Sequence, residues 1–420
     1  MSDKELHGAG RCRKGWSSRF ARRPVPPPRG RTRFGRSATA GRRGFVPSGG
    51  GSTAANLLAT IVCGNRVSTR SGHCFAGARA RARLPGRNCV TNSYDALLIV
   101  SFGGPERADD VVAFLEDVVR GKNVPRERIL EVAEHYYLFG GESPINAQLR
   151  ALLASLIDRL NAAGPPLPVY WGNRHWHPRL VDTLHEMADD GIGRALAFVT
   201  SAYGSHAGCR EYLEAIERAR AEVGPNAPQV DKLRLFYNHP AFVEAVADRA
   251  AEALARLSVP GVGGAKLVFT AHSLPLAMAR QSAYEAQLAE ACRLVAERLG
   301  RDEWCLCYQS RSGPPTQAWL EPDLGAQIVA WHEAGQTGPL VLVPIGFLLE
   351  NMELVYDLDV EIGGLCEQLG VEMVRAAAVG NHPRLAEMIR LLVEERLDPT
   401  KPRLALGEQG PSHDTCPADW

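Results

Sequence analysis

The sequence contains no long uninterrupted hydrophobic run. One of its most apolar stretches, residues 340–349, is well short of the roughly 18 residues that a membrane-spanning helix requires. Hydrophobic residues nevertheless make up 45% of the 420-residue chain, as in globular proteins with a buried core. A chain of this length is expected to form two or three domains. We therefore predict a folded protein without an integral membrane segment.

Cysteine is present at ten positions, but without regular spacing. The chain is also much larger than the small secreted domains that depend on disulfide bonds. These features argue against a disulfide framework and indicate reduced thiols in a cytoplasmic protein. Cys305 and Cys307 are two positions apart on a predicted strand and face one side of it. Because no matching pair of ligands is evident, we interpret them as buried thiols rather than a metal site.

Acidic residues are almost absent from residues 1–92, which contain only Asp3 and Glu5 beside 19 Lys and Arg residues. The segment is rich in Arg, Gly, Ser and Pro and buries too little apolar surface to offset the entropy of ordering, so we predict that it is disordered. It is compatible with a basic tail that contacts nucleic acid, with a transit peptide, or with a dispensable extension. We favour the last interpretation, expect no nucleic-acid partner and assign the segment no part in catalysis.

Nucleotide-binding loops are also missing. Ser101–Glu106 follows the first predicted strand and contains a glycine pair, but Pro105 interrupts the G-x-G-x-x-G pattern and no Gly-Lys-Ser/Thr follows. Gly261–Gly264 precedes a strand, whereas a phosphate-binding loop follows one. The sequence therefore argues against a nucleotide, and we predict that no organic cofactor is needed.

From residue 93 onward, short apolar strands alternate with amphipathic helical segments. This alternation is typical of parallel sheets covered on both faces. The eight strands divide into two sets of four near Asn238–Pro240. We predict an α/β fold with two doubly wound domains, 93–240 and 241–400, the second ending in a closing helix (Pro383–Leu397), and a polar tail, 401–420. The predicted strands are Asp95–Phe102, Leu167–Arg174, Arg194–Ala202, Lys232–Tyr237, Lys266–His272, Trp304–Arg311, Leu340–Phe347 and Glu372–Val379.

Two candidate sites for chemistry follow predicted strands, where ligands of such sheets bind. His272 ends the fifth strand and is placed either for proton transfer or metal binding, or simply for hydrogen bonding to the backbone. Beyond the seventh strand, Glu353, Asp357 and Glu361 are four residues apart and therefore share one face of a helix. That row of carboxylates is either a solvated stripe or a path for cations or protons.

Six segments, in order along the chain, resemble the signatures of ferrochelatase and together span about residues 95–395. They are Ser101–Glu106, Gly140–Asn146, Gly172–Pro178, Ala271–Pro275, Tyr308–Pro314 and Pro344–Glu361. The resemblance implies a chelatase-like fold with two Rossmann-like domains, each with a four-stranded parallel sheet flanked by helices. It also implies a metal-inserting lyase of haem biosynthesis. Its substrates would be ferrous iron and a porphyrin, protoporphyrin IX or coproporphyrin III, and two protons would be released.

The resemblance also assigns roles to individual residues. His272 and Glu353 match the family's central catalytic and metal-binding pair, and we expect their side chains to approach each other from opposite halves of the molecule. Asp357 and Glu361 match the acidic ladder that leads away from this pair. The residues expected to line the porphyrin pocket are Phe102, Ser143, Arg174, Tyr203 and Trp319.

The chain departs from the family pattern at two places. The family usually has Asp-His-x-Glu before the acidic helix, whereas this chain has Asn351 in place of the His. Some relatives hold an iron–sulfur cluster through one mid-chain Cys and three near the C-terminus. Here Cys209 matches the first, but only Cys416 lies near the end. Because such a cluster requires four thiolates, we predict that none is bound.

Residues 107–139 correspond to an apolar lip in membrane-bound relatives, but in this chain they are rich in charged residues, which favours a cytoplasmic enzyme. Two alternatives to iron insertion stay open. One is a cobalt chelatase of the same fold, because one His and one carboxylate accept many divalent metals. The other is a non-catalytic porphyrin- or haem-binding protein, motivated by the replaced His.

Overall fold

The computed structural model describes residues 94–258, 264–313 and 316–415, together with the backbone of residues 61–63 and 66–68. All of these belong to one compact unit, residues 59–420. The predicted disorder of residues 1–92 concerns positions that lie almost entirely outside the described residues. Among the helices of the described part, none combines the length and the apolarity that crossing a membrane requires.

Strands and helices alternate along most of the described chain. The strands are β1 (Ile61–Cys63), β2 (Arg66–Ser68), β3 (Ala96–Ser101), β4 (Val169–Asn173), β5 (Arg194–Val199), β6 (Gln229–Lys232), β7 (Lys266–His272), β8 (Trp304–Gln309), β9 (Leu340–Val343) and β10 (Met373–Arg375). The α-helices are α1 (Val111–Val118), α2 (Arg126–Tyr137), α3 (Pro144–Ala163), α4 (Leu180–Asp189), α5 (Glu211–Val223), α6 (Pro240–Leu254), α7 (Leu276–Ala279), α8 (Tyr284–Arg298), α9 (Leu324–Glu333), α10 (Met352–Val355), α11 (Gly363–Leu369) and α12 (Pro383–Leu397). Two π-helical turns, His206–Arg210 and Tyr356–Ile362, precede α5 and follow α10.

The first sheet has the strand order β1-β2-β4-β3-β5-β6. The four strands from β4 to β6 are parallel, and β3 is buried along its whole length. Leu97 and Leu98 of β3 pack into two different apolar clusters because successive side chains point to opposite, helix-covered faces of the sheet. β1 and β2 add an antiparallel hairpin at the edge of the sheet, with Arg66 opposite Tyr170 of β4. This hairpin was not predicted from the sequence, because it lies within residues 1–92, for which disorder was predicted.

The second sheet has the strand order β10-β9-β7-β8, and all its neighbouring strands are parallel. Two four-stranded parallel arrays flanked by helices confirm the predicted fold class. One apolar cluster joins the two sheets, since it includes Leu97 of β3 and Leu267 of β7. Leu385 and Ile389 of α12 belong to the same cluster. The final helix therefore packs against the core that the two sheets share.

One strand lies earlier in the chain than predicted. The prediction of a strand at Lys232–Tyr237 was wrong, because β6 ends at Lys232. Residues 233–237 are all buried, yet they are not part of a strand. Arg234 in this segment forms a 2.5 Å ion pair with Glu395 of α12. The apolar character of the segment therefore reflects burial against α12 rather than membership of the sheet.

The chain after α12 packs along the connection between the two sheets. The backbone N–H of Leu406 donates to the carbonyl of Asn238 at 2.8 Å, and the Asn238 side-chain amide donates to the carbonyl of Gly410 at 2.8 Å. The hydroxyl of Tyr237 donates to Oε1 of Gln409, also at 2.8 Å. The segment predicted as a polar tail thus uses its backbone and polar groups to bind the connection.

Cysteine chemistry differs from expectation at one position. Cys209, in the π-helical turn before α5, takes part in a disulfide bond, which contradicts the prediction of a reduced thiol there. Cys305 and Cys307 are free thiols with sulfur atoms 3.6 Å apart, and Cys307 is fully buried. Within the described ranges, no group of three or more His, Cys, Asp or Glu side chains converges as a metal site.

Candidate functional site

His272 is held at the carboxyl end of β7. Its Nδ1 atom lies 2.6 Å from the carbonyl oxygen of Ser273, and because a carbonyl can only accept, Nδ1 carries a proton. The hydroxyl of Tyr284 donates to the backbone carbonyl of His272 at 3.0 Å. The strand end and the ring are therefore both fixed by hydrogen bonds, and Nε2 is the ring atom that is available for chemistry.

Glu353 meets this ring from the first turn of α10. Nε2 of His272 lies 3.4 Å from Oε1 of Glu353. β7 and β9 are adjacent parallel strands, so the residue that ends β7 and the chain that follows β9 lie at the same edge of the second sheet. The expectation that the two groups come from opposite halves of the molecule was wrong, because both strands belong to one sheet.

The pair is partly accessible to solvent, since 33% of the His272 side chain and 45% of the Glu353 side chain are exposed. Burial alone would lower the pKa of His272, but the charge and hydrogen bond of Glu353, with help from the Ser273 carbonyl, raise this pKa to about 9. The imidazole is therefore protonated at neutral pH. A metal ion must displace this proton before it can bind Nε2, so metal binding and proton release are coupled here.

Asp357 and Glu361 continue the acidic row in the π-helical turn Tyr356–Ile362. Both line a cavity of about 240 Å³, to which Gln309 and Ser310 also contribute. Burial raises the pKa of Asp357 to about 6, reinforced by the neighbouring carboxylates, although a hydrogen bond from Ser310 opposes the shift. Asp357 is held by hydrogen bonds, so the row is not a uniformly solvated stripe.

Helix α2 brings the first half of the molecule to the same site. The ring of His135 stacks on the ring of Tyr356, with the ring centroids 3.6 Å apart. Burial, and next the charge of Glu353, raise the pKa of the neighbouring Tyr136 hydroxyl. The region expected to be highly charged also has an apolar part, along α2 and directly beyond its end. Its exposed hydrophobic side chains are Leu130, Tyr137, Leu138 and Phe139.

Three of the residues expected to line the porphyrin pocket follow strands of the first sheet or begin a helix beside it. The ring of Phe102 lies 4.6 Å from the ring of His175, and the Arg174 guanidinium lies 5.8 Å from the Phe102 ring centroid. Arg174 also pairs with Glu211 at 2.6 Å. Ser143 is buried at the start of α3. Phe102 and Arg174 are thus brought together, at the carboxyl ends of β3 and β4.

The other two residues expected in the pocket lie inside the protein. Tyr203 is only 2% exposed, and its hydroxyl donates to the carbonyl of Ile345 at 3.1 Å. Trp319 is 8% exposed and pairs through its backbone with Pro275. They support the loops that follow β9 and β7 from within. Their role in binding a porphyrin directly stays a prediction.

Sequence reasoning missed three groups that contact or adjoin the acidic row, namely Gln309, Ser310 and Tyr136. The first two belong to Tyr308–Pro314, a segment that was recognised only for its resemblance to a family signature. Because β8 ends at Gln309, the rule that ligands bind beyond strand ends already indicated this position. Tyr136 carries no comparable local signal.

Comparison with known proteins identifies the family. The family model described as Ferrochelatase matches residues 94–397. A Rhodopirellula baltica protein named Ferrochelatase is 53% identical over 326 residues, which are 78% of this chain and 93% of that protein. A Coproporphyrin III ferrochelatase of Frankia alni is 48% identical over 336 residues, 77% of this chain and 85% of that protein.

A solved structure, SirB from Bacillus subtilis with Fe3+, aligns over 75% of this chain and 100% of that chain, with a TM-score of 0.46 and 14% identity. The matched region runs from β3 to α12, and the chain belongs to the ferrochelatase family.

Proposed function

We propose that this protein inserts ferrous iron into a porphyrin in haem biosynthesis and that His272 and Glu353 are its catalytic residues. The observation that carries the assignment is the approach of His272 Nε2 to Glu353 Oε1, 3.4 Å apart and partly exposed. An imidazole nitrogen and a carboxylate oxygen are both ligands for ferrous iron. They also accept protons, and insertion into a free-base ring releases two protons.

The mechanism that fits this geometry begins with proton loss. The raised pKa of His272 means that the resting site holds an imidazolium beside a carboxylate. When a divalent cation approaches, the imidazolium gives its Nε2 proton to the Glu353 carboxylate or to solvent, and the neutral imidazole can then hold the metal or take a proton from the porphyrin. Binding energy spent on distorting the planar porphyrin would expose nitrogen lone pairs on one of its faces and N–H protons on the other.

Asp357 and Glu361 are proposed to form the path that leads away from the central pair. Their carboxylates line the same cavity and follow Glu353 at four-residue intervals. Negative charge along this row favours a cation over a neutral ligand. Iron and protons both carry positive charge, so the row is suited to conduct the metal ion that enters or the protons that leave during insertion.

The porphyrin is proposed to be coproporphyrin III or protoporphyrin IX. Relatives from 44% to 48% identical are named for coproporphyrin III, whereas the 53% identical relative is named only Ferrochelatase. Phe102, at the carboxyl end of β3, offers an aromatic face to such a ring. Arg174, at the carboxyl end of β4, is buried and paired with Glu211, so it must leave that pair before it can bind a carboxylate of the porphyrin. We propose that no organic cofactor or iron–sulfur cluster takes part. For the cluster, the chain offers Cys209 and Cys416 but lacks the two further cysteines near the C-terminus that a site of four thiolates needs.

The assay that tests the function is anaerobic and spectrophotometric, and it offers ferrous iron with each porphyrin in turn. We expect the wild-type protein to metallate at least one of them. His272→Ala and Glu353→Gln should lose at least roughly 100-fold in turnover, the share expected of a positioned base or ligand, while porphyrin binding by fluorescence quenching is retained. Matched controls are His185→Ala and Glu367→Gln, both on exposed helix positions. Near-normal turnover in either active-site variant would refute the assigned roles.

The same assay separates the alternatives. Insertion of cobalt but not of iron would favour a cobalt chelatase. Tight porphyrin binding without any metallation would favour a carrier. We propose the cytoplasm as the location, on the charged side chains of residues 107–139, and cell fractionation tests that placement.

A further inference from the structure

Two free thiols, Cys305 and Cys307, form a close pair on β8, which lies at the end of the strand order of the second sheet. Because they are two positions apart on a strand, both side chains point to the same face. Their sulfur atoms are 3.6 Å apart. Cys307 is buried, whereas Cys305 is partly exposed. A small molecule in solution can therefore reach one thiol of this pair more easily than the other.

The two thiols also differ in how readily they ionise. A hydrogen bond from Cys307 lowers the pKa of the Cys305 thiol, and the charge of Lys266 acts in the same direction, although burial opposes the shift. The hydrogen bond with Cys305, and next burial, raise the pKa of Cys307. The thiolate is the form of cysteine that attacks an oxidant. Cys305 is therefore the thiol that reacts first, with a protonated thiol directly beside it.

The strand geometry permits a bond between the two sulfur atoms but strains it. Residues two apart on a strand have Cα atoms about 6.5 Å apart, near the upper end of the range of roughly 4.4–6.8 Å that disulfide bonds span. Joining the sulfur atoms of Cys305 and Cys307 therefore requires β8 to shorten between them. A strained disulfide is more easily reduced than a relaxed one, so this bond would be reversible.

A change in β8 at this point would be transmitted to the catalytic imidazole. His272, the last residue of β7, lies opposite Gln309, which is two residues beyond Cys307 on β8. The side-chain amide of Gln309 also donates a hydrogen bond to Asp357 at 3.3 Å. The thiol pair is thus coupled to the position of His272 through the register of two adjacent strands.

We propose that Cys305 and Cys307 are a redox-sensitive thiol pair that hydroperoxides convert to an intramolecular disulfide, and that this disulfide slows iron insertion. The Cys305 thiolate attacks the terminal oxygen of the hydroperoxide, the O–O bond breaks, and a sulfenic acid forms while the departing alkoxide takes up a proton. The Cys307 sulfur then attacks the Cys305 sulfur, and the sulfenic hydroxyl leaves with the Cys307 proton as water. The two thiols lose two electrons, which reduce one hydroperoxide.

The effect on iron insertion rests on the proposed function, whereas the disulfide can be detected without it. Cleavage after Arg301 and Arg311 releases the tryptic peptide 302–311, whose two cysteines are Cys305 and Cys307. The full chain is treated with hydrogen peroxide, freed of it, denatured, alkylated with iodoacetamide and digested. We expect two alkyl groups on the peptide from untreated protein. The peptide from oxidised protein should carry none and be about 2 Da lighter than the reduced, unalkylated peptide, because two hydrogen atoms are lost.

The same samples are assayed for iron insertion under anaerobic conditions, without added thiol. Peroxide treatment should slow insertion roughly tenfold, because a displacement of about 1 Å at a reacting group can cost about a hundredfold, and dithiothreitol should restore the rate. Cys305→Ser should be insensitive to peroxide, since the remaining Cys307 is buried and protonated. The matched control is Cys292→Ala, which removes a fully buried thiol outside the pair and should respond to peroxide as the wild type does.

Three results would overturn the proposal. They are two alkyl groups on the peptide after peroxide treatment, a disulfide that leaves the rate of insertion unchanged, and a loss of rate that dithiothreitol does not reverse. A protein that inserts no iron before treatment refutes the proposed function instead, and the peptide then decides the existence of the disulfide by itself.

Discussion

Asn351 caps the helix that carries Glu353. Its side-chain Oδ1 accepts a hydrogen bond from the backbone N–H of Leu354 at 2.8 Å, at the start of α10. This satisfies one of the N–H groups that the first turn of a helix leaves without a partner. The residue that replaces the His of the family pattern therefore has a structural task, which is to fix the turn from which Glu353 reaches His272.

Asn351→Ala should therefore weaken both stability and activity. Loss of an N-cap costs about 1 kcal/mol, or a fall of about 2 °C in melting temperature for a chain of this size. We expect iron insertion to fall several-fold as well, because Glu353 sits on the second residue of the helix. Asn351→Ser keeps an acceptor at the cap and is the matched control. Calorimetry and the insertion assay measure the two effects, and an alanine variant equal to the wild type in both would show that the cap is dispensable.

Asn351→His restores the family pattern and tests whether the second His of the family is needed for iron insertion. If the second His of the family only assists the central pair, this variant should keep substantial iron insertion. A lower melting temperature is expected, because histidine caps helices less well than asparagine. Turnover is compared with that of Asn351→Ser at equal porphyrin saturation. Complete loss of activity in a folded Asn351→His protein would mean that the site around position 351 has been rebuilt.

Local patterns in the sequence were sufficient for most of the architecture. β7 has the bounds predicted for it, because its apolar residues are buried by both helical layers and its end coincides with His272. The four-residue spacing of Glu353, Asp357 and Glu361 predicted one face of a helix; the structure places Asp357 and Glu361 on one cavity, in a π-helical turn. These features depend on residues that are close together in the sequence, and the spacing of apolar and charged residues indicates them directly.

Features that depend on distant residues could not be predicted in the same way. The buried segment 233–237 reads as a strand, but the partners that bury it are α12 and the chain beyond it, more than 150 residues away. Ser310 has a positive φ of 61°, and its hydroxyl donates to Asp357, 47 residues further on in the chain. Apolarity indicates that a segment is buried and does not identify the element that buries it.

Glu395→Ala should be among the most destabilising single substitutions in the protein. The side chains of Arg234 and Glu395 are 1% and 6% exposed, and they pair at 2.5 Å. Removal of the carboxylate leaves a buried guanidinium without its counter-charge, at a cost of about 3–5 kcal/mol. Urea unfolding measures the loss. The control is Arg128→Ala, which breaks an exposed pair with Glu131 and should cost less than about 1 kcal/mol.

A double variant refines the interpretation of that pair. Arg234→Met combined with Glu395→Leu removes both charges and keeps apolar volume, so it should recover much of the stability lost in Glu395→Ala. If the double variant is as unstable as the single one, the hydrogen bond from Arg234 to the carbonyl of Leu404 would be the more important contact. That outcome would mean that the contact with the C-terminal segment contributes more to the free energy of unfolding than the ion pair does.

Deletion of residues 1–90 should leave iron insertion intact. His272, Glu353 and the acidic row all lie far beyond the deleted segment, and the family match begins at residue 94. The deletion also removes the short hairpin that extends the first sheet beside β4, so a modest fall in melting temperature is expected. A second deletion, of residues 1–58, keeps that hairpin and isolates its contribution. If the variant that lacks residues 1–90 folds but does not insert iron, the extension takes part in catalysis.

His239 should make the protein acid-sensitive. The residue is 1% exposed, its Nδ1 accepts the backbone N–H of Ala241 at 3.1 Å, and burial, then the charge of Arg234, lower its pKa to about 3. Because His239 stays neutral in the folded state but takes up a proton below about pH 6.5 in the unfolded state, stability is full above that pH and declines as pH falls toward about 3.

His239→Asn keeps an acceptor at the cap and cannot titrate. Between about pH 7 and pH 5, its free energy of unfolding in urea should therefore fall by about 2 kcal/mol less than that of the wild type. His185→Asn, at an exposed position, should follow the wild-type curve. Parallel curves for wild type and His239→Asn would mean that this histidine is not the acid-sensitive group.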